Sequence, residues 1–251
     1  MHAAQTFLTG TVFPNGCVPI NPPALTALQA VTLNASLKQD ATSYAYSGII
    51  TLSEAIISVE RGSYSWATIK AYYSVFYFLR AILAANGIAV FYCGMKPWIL
   101  SSLFGEQPKQ GKKNTHEIVI SEFKKRLSDH WLLTQPIGLS DPLYWIKTKR
   151  EYANYTAARF IEPGIPDHFS KISSIGTRQA VTSYFQSTND LLAFDEDHAI
   201  LAYPIQSLIH TIKEIKRVFG LPIFKKDDEK FLSTLCRDKK GPIPDFQRLL
   251  M

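Results

Sequence analysis

The segment Ser65–Gly87, "SWATIKAYYSVFYFLRAILAANG", decides which fold the sequence predicts. Its apolar residues recur three or four positions apart, as along one face of an α-helix, and further aromatic residues fill the flanks. The residues of this face are Trp66, Ile69, Tyr73, Phe76, Leu79 or Arg80, and Leu83. A helix that is apolar on most sides is buried, so this segment is predicted to form the centre of the protein. Asn86 and Gly87 predict its end.

The rest of the chain predicts further helices and no alternation of strands with helices. The predicted helices occupy the segments 24–39, Tyr44–Glu60, 115–130, 143–160, Lys171–Leu192 and Asp197–Phe219. Asn114 or Thr115 is expected to cap the third of these, and Asp141 with Pro142 is expected to begin the fourth. Pro204 is expected to kink or delay the last helix. The pattern therefore predicts an all-α fold.

Prolines and glycines divide the chain. They predict an irregular arm or a short edge strand in Met1–Ala24, and an insertion or lid without a long regular element after Gly87. We expect three parts: an N-terminal arm with a short helix over 1–40, a helical core over 41–160 with an insertion at about 91–111, and a C-terminal helical extension over 161–251.

The composition is that of a globular protein, with 46% hydrophobic and 19% charged residues among 251. A net charge of +6 favours contact with a polyanion, although many moderately basic proteins bind none. The cysteines are too far apart to suggest a disulfide framework or a zinc site. The start of the chain lacks a basic leader, and the most apolar stretch contains Lys70 and Arg80. We therefore expect a cytoplasmic protein without membrane contact, metal ion or cofactor.

Strong local signatures of common enzymes, such as a phosphate-binding glycine loop or a paired-histidine zinc helix, are absent from the sequence. A candidate site lies on the helix that follows Pro142. Arg150 and Asn154 are four residues apart, as are Glu151 and Tyr155, so a cation, an amide and a phenol lie within reach of one ligand. A solvated helix face with half-buried tyrosines would show the same pattern, and the pattern alone leaves both interpretations open.

A second candidate is the segment 112–120, "KKNTHEIVI", in which Lys112, Lys113, Thr115 and His116 precede an apolar run. These side chains fit a basic anchor for a nucleotide or RNA, and equally the solvated start of an amphipathic helix. For His116 by itself the pattern favours a solvated histidine. Nearby basic residues extend the run; they are Lys109, Lys124, Lys125 and Arg126.

Three segments in this order resemble the HEPN superfamily, named for higher eukaryotes and prokaryotes nucleotide-binding. They are "AYYSVFYFLRAILAANGI", "KKNTHEIVISEFKK" and "KTKREYANY". In that superfamily an aromatic helix is followed by a "KTHSGVISLF"-like segment and by a helix bearing an arginine, an acidic or amide residue and a tyrosine. The resemblance covers Tyr44–Phe160 and suggests a divergent member. It implies a bundle of four or five helices, often a homodimer, here with an N-terminal arm and additional C-terminal helices.

The resemblance also implies a chemistry, from which this chain departs at one position. Many members are metal-independent ribonucleases of toxin–antitoxin, CRISPR and phage-defence systems, with an arginine, a polar neighbour and a histidine four to six residues later. Arg150 and Glu151 match the first two positions, but Tyr155 stands where the histidine is expected. An imidazole exchanges protons near neutral pH, whereas a phenol with a pKa of about 10 is a poor base.

Two hypotheses of function follow from the resemblance. In the first, which Tyr155 favours, a module without the usual catalytic histidine binds RNA or a nucleotide and works with a partner nucleotidyltransferase or ATPase in a toxin–antitoxin or phage-defence system. In the second, the protein is an active metal-independent endoribonuclease. Arg150 would then bind the scissile phosphate with Glu151 and Asn154 positioning it. The flanking RNA backbone would be held by Lys112, Lys113 and His116.

Overall fold

The computed structural model describes residues 2–13, 18–186, 190–220, 222–236 and 240–244. Its central elements are helices α2 (Ala27–Glu60) and α3 (Tyr64–Ala85), which pack side by side and are joined by a short turn. Gly62 has a φ of 71° in this turn, a conformation that glycine adopts without steric cost. The prediction of a buried central helix after Gly62 is confirmed, because α3 contributes to the core along its whole length.

Helix α2 is one continuous helix, whereas the sequence predicted two, over 24–39 and Tyr44–Glu60. Its first turn is closed by a capping box in which Thr26 and Gln29 exchange side-chain and backbone hydrogen bonds. The residues between the two predicted helices continue the helix because they also contact other parts of the protein. Asp40, for example, is 4% exposed and accepts hydrogen bonds from backbone N–H groups of the N-terminal segment.

That N-terminal segment is helical, so the expectation of an irregular arm or edge strand is wrong for its first part. Helix α1 (Ala3–Phe7) continues as one π-helical turn over Leu8–Val12. The carboxylate of Asp40 accepts from the N–H groups of Ala3 at 2.6 Å and Ala4 at 3.0 Å, which satisfies donors that a helix start leaves unpaired. Residues 14–17 of the predicted arm lie outside the described residues.

The insertion contains a small antiparallel sheet, where the sequence predicted no long regular element. Strands β1 (Ile88–Cys93), β2 (Lys96–Ser101) and β3 (Lys109–Gln110) pair in this order. Gly94, with a φ of 62°, allows the tight turn between β1 and β2. On the outer edge of β1, the side-chain amide of Gln5 donates to the carbonyl of Tyr92 and accepts from its N–H, both at 2.6 Å.

Helices α4 (Thr115–Arg126) and α5 (Pro142–Glu151) carry the candidate site and begin at the predicted caps. Asn114 accepts from the N–H of Glu117, and Asp141 accepts from the N–H groups of Leu143 and Tyr144. Both helices end before the predicted limits of 130 and 160. A single 3-10 turn, Trp131–Leu133, follows α4 after a short loop, and a π-helical turn follows α5 directly.

The C-terminal part consists of α6 (Asp167–Ile175), α7 (Thr177–Gln186), α8 (Ala199–Phe219) and α9 (Lys226–Leu235). The helix predicted over Lys171–Leu192 is in fact α6 and α7, separated at Gly176, whose φ of 86° interrupts the helix. Pro204 does not delay α8, which begins five residues earlier. Residues 187–189 lie outside the described part of the chain.

The prediction of an all-α fold is confirmed, with the three-stranded sheet as a minor addition. Helix α8 packs on α3 and α2, and one cluster of buried apolar residues extends from Ala4 to Ile243. The division at residues 40 and 160 stays a prediction. Among the described residues, no helix is both long and apolar enough to span a bilayer.

The contact between α2 and α3 predicts the effect of adding one methyl group. Gly48 faces the buried ring of Phe78, and a Cβ at position 48 would lie 2.7 Å from its Cδ1 and 3.0 Å from its Cζ. We expect Gly48→Ala to lower the free energy of unfolding by about 1–3 kcal/mol in a urea titration, because the overpacking outweighs the better helix propensity of alanine.

The control is Ser43→Ala on an exposed position of the same helix, for which we expect a change within about 0.5 kcal/mol. Equal unfolding midpoints for Gly48→Ala and the wild type would contradict the close packing of the two helices.

Candidate functional site

Arg150 lies near the end of α5 with its guanidinium enclosed by tyrosines. The residue is 7% exposed, and its Nη2 donates to the phenol oxygens of Tyr73 at 2.7 Å and Tyr155 at 3.3 Å. Its guanidinium carbon is 4.9 Å from the ring centroid of Tyr155, 5.3 Å from that of Tyr73 and 5.5 Å from that of Tyr72. We call these four residues, together with His116, the arginine cluster.

No carboxylate pairs with Arg150 among the described residues, and its buried Nε–H has no hydrogen-bond partner there. Burial lowers the pKa of Arg150, but the hydrogen bond to Tyr73 and the electrostatic contributions of the three tyrosines together outweigh it, so the pKa lies above its usual value and the charge is kept. Phenols stabilise this charge by hydrogen bonds and cation–π contact without neutralising it. The cluster therefore holds a positive charge with unused donor capacity, which suits an anionic ligand.

The end of α5 explains how Tyr155 reaches Arg150. After Glu151 the helix continues as a π-helical turn over Tyr152–Thr156, and the N–H of Ala157 donates to the carbonyl of Tyr152, five residues earlier. In a regular α-helix, residues five apart differ by about 140° in direction. The π-helical turn reduces this difference, and the phenol of Tyr155, although 70% exposed as a residue, bonds back to the guanidinium.

His116 on α4 belongs to the same cluster, although the sequence pattern favoured a merely solvated histidine. Its Nδ1 is 2.7 Å from the phenol oxygen of Tyr72, and its ring lies 4.4 Å from that of Phe76 and 5.8 Å from that of Tyr73. Burial, and secondly the charge of Arg150, lower the pKa of His116, so the imidazole is neutral near pH 7. The other ring nitrogen, Nε2, has no hydrogen-bond partner among the described residues.

A polar contact between α4 and α5 fixes these two helices next to each other. Lys147 forms a short ion pair with Glu117 and a longer one of 3.4 Å with Glu151, while the phenol of Tyr144 donates to Glu117 at 3.3 Å. The hydrogen bond from Lys147 is the main reason why the pKa of Glu117 is lowered. Glu151, expected to assist Arg150, therefore pairs with Lys147 instead.

The other predicted site residues lie at the edge of the cluster. Asn154 is exposed on the π-helical turn, and Lys112 and Lys113 are exposed in the turn before α4. Thr115 is half-buried in the first turn of α4. None of these side chains forms a hydrogen bond or ion pair with another described residue, so they remain available to a ligand. Over the described ranges, no group of His, Cys, Asp and Glu residues is arranged to hold a metal ion.

Tyr72 and Tyr73 are the cluster residues that sequence reasoning missed, because aromatic residues on α3 were assigned to the core. Tyr72 is indeed 2% exposed, and burial raises the pKa of its phenol. The signal in the sequence was the residue type. A buried tyrosine needs a partner for its hydroxyl, whereas phenylalanine fills an apolar position without that requirement.

The hydrogen bonds of Arg150 predict that two substitutions of the same type, Tyr73→Phe and Tyr155→Phe, differ in their effect on the free energy of unfolding. Tyr73→Phe removes the phenol oxygen 2.7 Å from a buried guanidinium, and we expect it to lower the free energy of unfolding by about 1–3 kcal/mol. Tyr155→Phe removes the longer, exposed bond and is expected to cost less than about 1 kcal/mol. Urea unfolding followed by tryptophan fluorescence measures both variants; a larger loss in Tyr155→Phe would contradict this geometry.

A comparison with known protein families finds a match in the central part of the chain. Residues 47–156 match the family model described as the HEPN domain, and this range contains the whole arginine cluster. No curated protein and no solved structure matches the chain. A HEPN domain indicates a function connected with RNA or nucleotides. The chain is therefore similar to the HEPN domain in its central part, over somewhat less than half of its length.

Proposed function

We propose that this protein binds RNA or a nucleotide through the arginine cluster, with Arg150 contacting a phosphate group. The observation that carries the proposal is the buried guanidinium, which within the described part of the chain has phenol partners, no carboxylate partner and no acceptor for its Nε–H. A buried charge without a counterion is costly, and a phosphate that reaches it replaces lost solvation with charge-assisted hydrogen bonds. Arginine is well suited to this role because its planar fork matches the phosphate oxygens.

Basic side chains beside the cluster support binding of a longer polyanion. Lys112 and Lys113 are exposed just before α4, whose residue His116 contacts Tyr72. On α4 itself, Lys124 pairs with Asp141 and Arg126 with Glu122, so these two cations are partly compensated. Lys112 and Lys113 are therefore the cations that we propose to hold the flanking RNA backbone, with Thr115 and Asn154 as additional polar contacts.

The proposal includes a second protein. Tyr155 replaces the histidine that catalytic members carry, so we infer a module that binds its ligand and works with a partner, a nucleotidyltransferase or ATPase, in a toxin–antitoxin or phage-defence system. The site of action would be the cytoplasm, where such RNA is found. We further infer a homodimer.

Substitution of Arg150 tests the phosphate contact. We expect Arg150→Ala to weaken binding of a short fluorescently labelled single-stranded RNA by roughly 10- to 100-fold in an anisotropy titration, because charge-assisted bonds are lost. The slope of log affinity against log salt concentration should also fall by about 0.7, the value for one phosphate contact on a single strand.

A matched control removes the same charge elsewhere. Arg217 is exposed and pairs with Glu214, which bonds Asn86 at the far end of α3. That end is 13 residues from Tyr73, or about 20 Å along the helix axis. Arg217→Ala is expected to leave the affinity and the salt slope within experimental error of the wild type. Equal losses of RNA affinity in both variants would mean that binding depends only on the net charge of the protein.

A second candidate function is favoured by the position of His116. Its neutral imidazole lies within the cluster that holds Arg150, although it comes from α4 and not from the position of Tyr155. If the protein is an endoribonuclease, Nε2 of His116 accepts the proton of the RNA 2′-hydroxyl while O2′ attacks the phosphorus atom. The bond from phosphorus to O5′ then breaks, and O5′ takes a proton from water, which leaves a cyclic phosphate and a 5′-hydroxyl.

Cleavage of a mixed pool of transfer and messenger RNA in EDTA tests this candidate. For a nuclease of this kind, we expect cutting by the wild type, none by Arg150→Ala, and a loss of at least about 100-fold in His116→Gln with RNA affinity retained. Absence of cutting by the wild type, together with Arg150-dependent binding, would leave the binding module as the function. Wild-type activity in His116→Gln would exclude His116 as the base.

A further inference from the structure

A pocket of about 440 Å³ lies beside the arginine cluster and is lined by none of its residues. It is bounded by the first turns of α3, by the end of α5 with its π-helical turn, and by the segment 157–168. Pockets that bind small molecules in proteins measure about 300–1,000 Å³. The size of this pocket is therefore appropriate for a small ligand or for one part of a larger one.

The pocket and the arginine cluster are immediate neighbours. Thr68 lines the pocket and Tyr72 belongs to the cluster, and these residues are one turn, or about 6 Å, apart along α3. On α5 the pocket residue Lys149 directly precedes Arg150. A ligand whose phosphate contacts Arg150 can thus place its adjoining group in the pocket.

The walls of the pocket are apolar and open to a flat ligand. Tyr152 is 60% exposed, and Ile161 and Ile165 are each 46% exposed, which is unusual for three large apolar side chains around one concavity. An aromatic side chain and aliphatic side chains that line the same pocket offer apolar contact to a planar ring. Bases of single-stranded nucleic acids are commonly held by such stacking contacts.

Hydrogen bonding at the bottom of the pocket defines one acceptor. The hydroxyl of Thr68, which is 1% exposed, donates to the carbonyl of Tyr64 at 2.9 Å and lies 3.2 Å from Nε2 of His168. A hydroxyl has a single proton, and with this proton directed to Tyr64 we assign Nε2 of His168 as the donor in the second bond. Nδ1 then carries no proton, and it has no hydrogen-bond partner among the described residues.

The electrostatic surroundings keep His168 in this state. Burial, and secondly the charge of Lys149, lower the pKa of His168 to about 4, so the ring is neutral at physiological pH. Asp167, whose carboxylate can only accept hydrogen bonds, is also a lining residue of the pocket. The pocket therefore presents acceptors to its ligand from this side, and it requires donors in return.

We propose that this pocket binds a nucleobase with an exocyclic amino group, either in a free nucleotide or in single-stranded RNA. The proposal rests on the proposed function, since Arg150 would hold the adjoining phosphate. The amino group donates to Nδ1 of His168, and the ring packs between Tyr152 and the two isoleucines. Uracil has a carbonyl oxygen where cytosine has its amino group. The lone pairs of this oxygen would face the acceptor Nδ1 of His168, so no hydrogen bond could form there.

Cytosine and uracil have the same ring size, which makes them a suitable pair of probes. In anisotropy titrations we expect the wild type to bind labelled oligocytidylate roughly tenfold more tightly than oligouridylate of equal length. Tyr152→Ala should weaken oligocytidylate binding by about tenfold. The control Phe231→Ala removes another exposed aromatic side chain, on α9, and should leave both affinities unchanged.

A second variant tests the acceptor. His168→Phe keeps an aromatic ring but lacks Nδ1, and it should abolish the preference for cytosine while oligouridylate binding is retained. Thermal melting checks its folding; Tyr152→Ala alters an exposed residue and keeps the test decisive if His168→Phe does not fold. Competition by cytidine monophosphate against uridine monophosphate shows whether the pocket also accepts a free nucleotide or needs the RNA chain.

The outcomes separate this proposal from the proposed function. Arg150-dependent RNA binding with no preference for cytosine and no effect of Tyr152→Ala would overturn the pocket proposal alone. Absence of binding of both RNA and cytidine monophosphate would overturn both proposals. Tyr152-dependent binding of cytidine monophosphate without RNA binding would support the pocket and remove RNA as the ligand. Dissociation of a dimer by Tyr152→Ala, without cytosine preference, would identify a self-association surface and overturn the proposal.

Discussion

The burial of α3 on nearly all sides is the constraint on which the rest of the structure depends. Helix α2 covers one side of it, α8 covers another, and α4 and α5 pack against its remaining surface. Because α3 also carries tyrosines, its burial brings hydroxyl groups into positions where they require partners. Tyr72 meets His116 on α4, and Tyr73 meets Arg150 on α5. The packing of the core and the construction of the candidate site are therefore consequences of the same helix.

The cluster holds a charge without cancelling it. A carboxylate beside Arg150 would stabilise the guanidinium but would also compete with any incoming anion. The phenols of Tyr73 and Tyr155 supply oxygen acceptors and aromatic faces. Glu151, the nearest carboxylate along the chain, is directed to Lys147. Tyr155, which stands where the resemblance to the HEPN superfamily implies a histidine, thus contacts the arginine here.

Local signals in the sequence predicted the parts of the fold that depend on neighbouring residues. Asn114 and Asp141 cap helices through bonds within three residues, and the spacing of apolar residues on α3 is a local property. Contacts between distant residues could not be read in this way. Asp40 caps a helix that begins 37 residues earlier, and His116 contacts a tyrosine 44 residues away. The π-helical turn after Glu151 likewise has no propensity signal, so Arg150 and Tyr155 were predicted as site residues but their direct contact was not.

The hydrogen bonds between Gln5 and Tyr92 affect how the small sheet behaves toward other chains. An edge strand with unpaired N–H and C=O groups is a template for pairing with a strand of another molecule, which leads to aggregation. On β1 the carboxamide of Gln5 occupies both backbone groups of Tyr92 and mimics a neighbouring strand at that residue. On the opposite side, β3 is only two residues long. The sheet is thereby shielded at one edge and short at the other, and this limits its growth into intermolecular β-structure when the protein is concentrated.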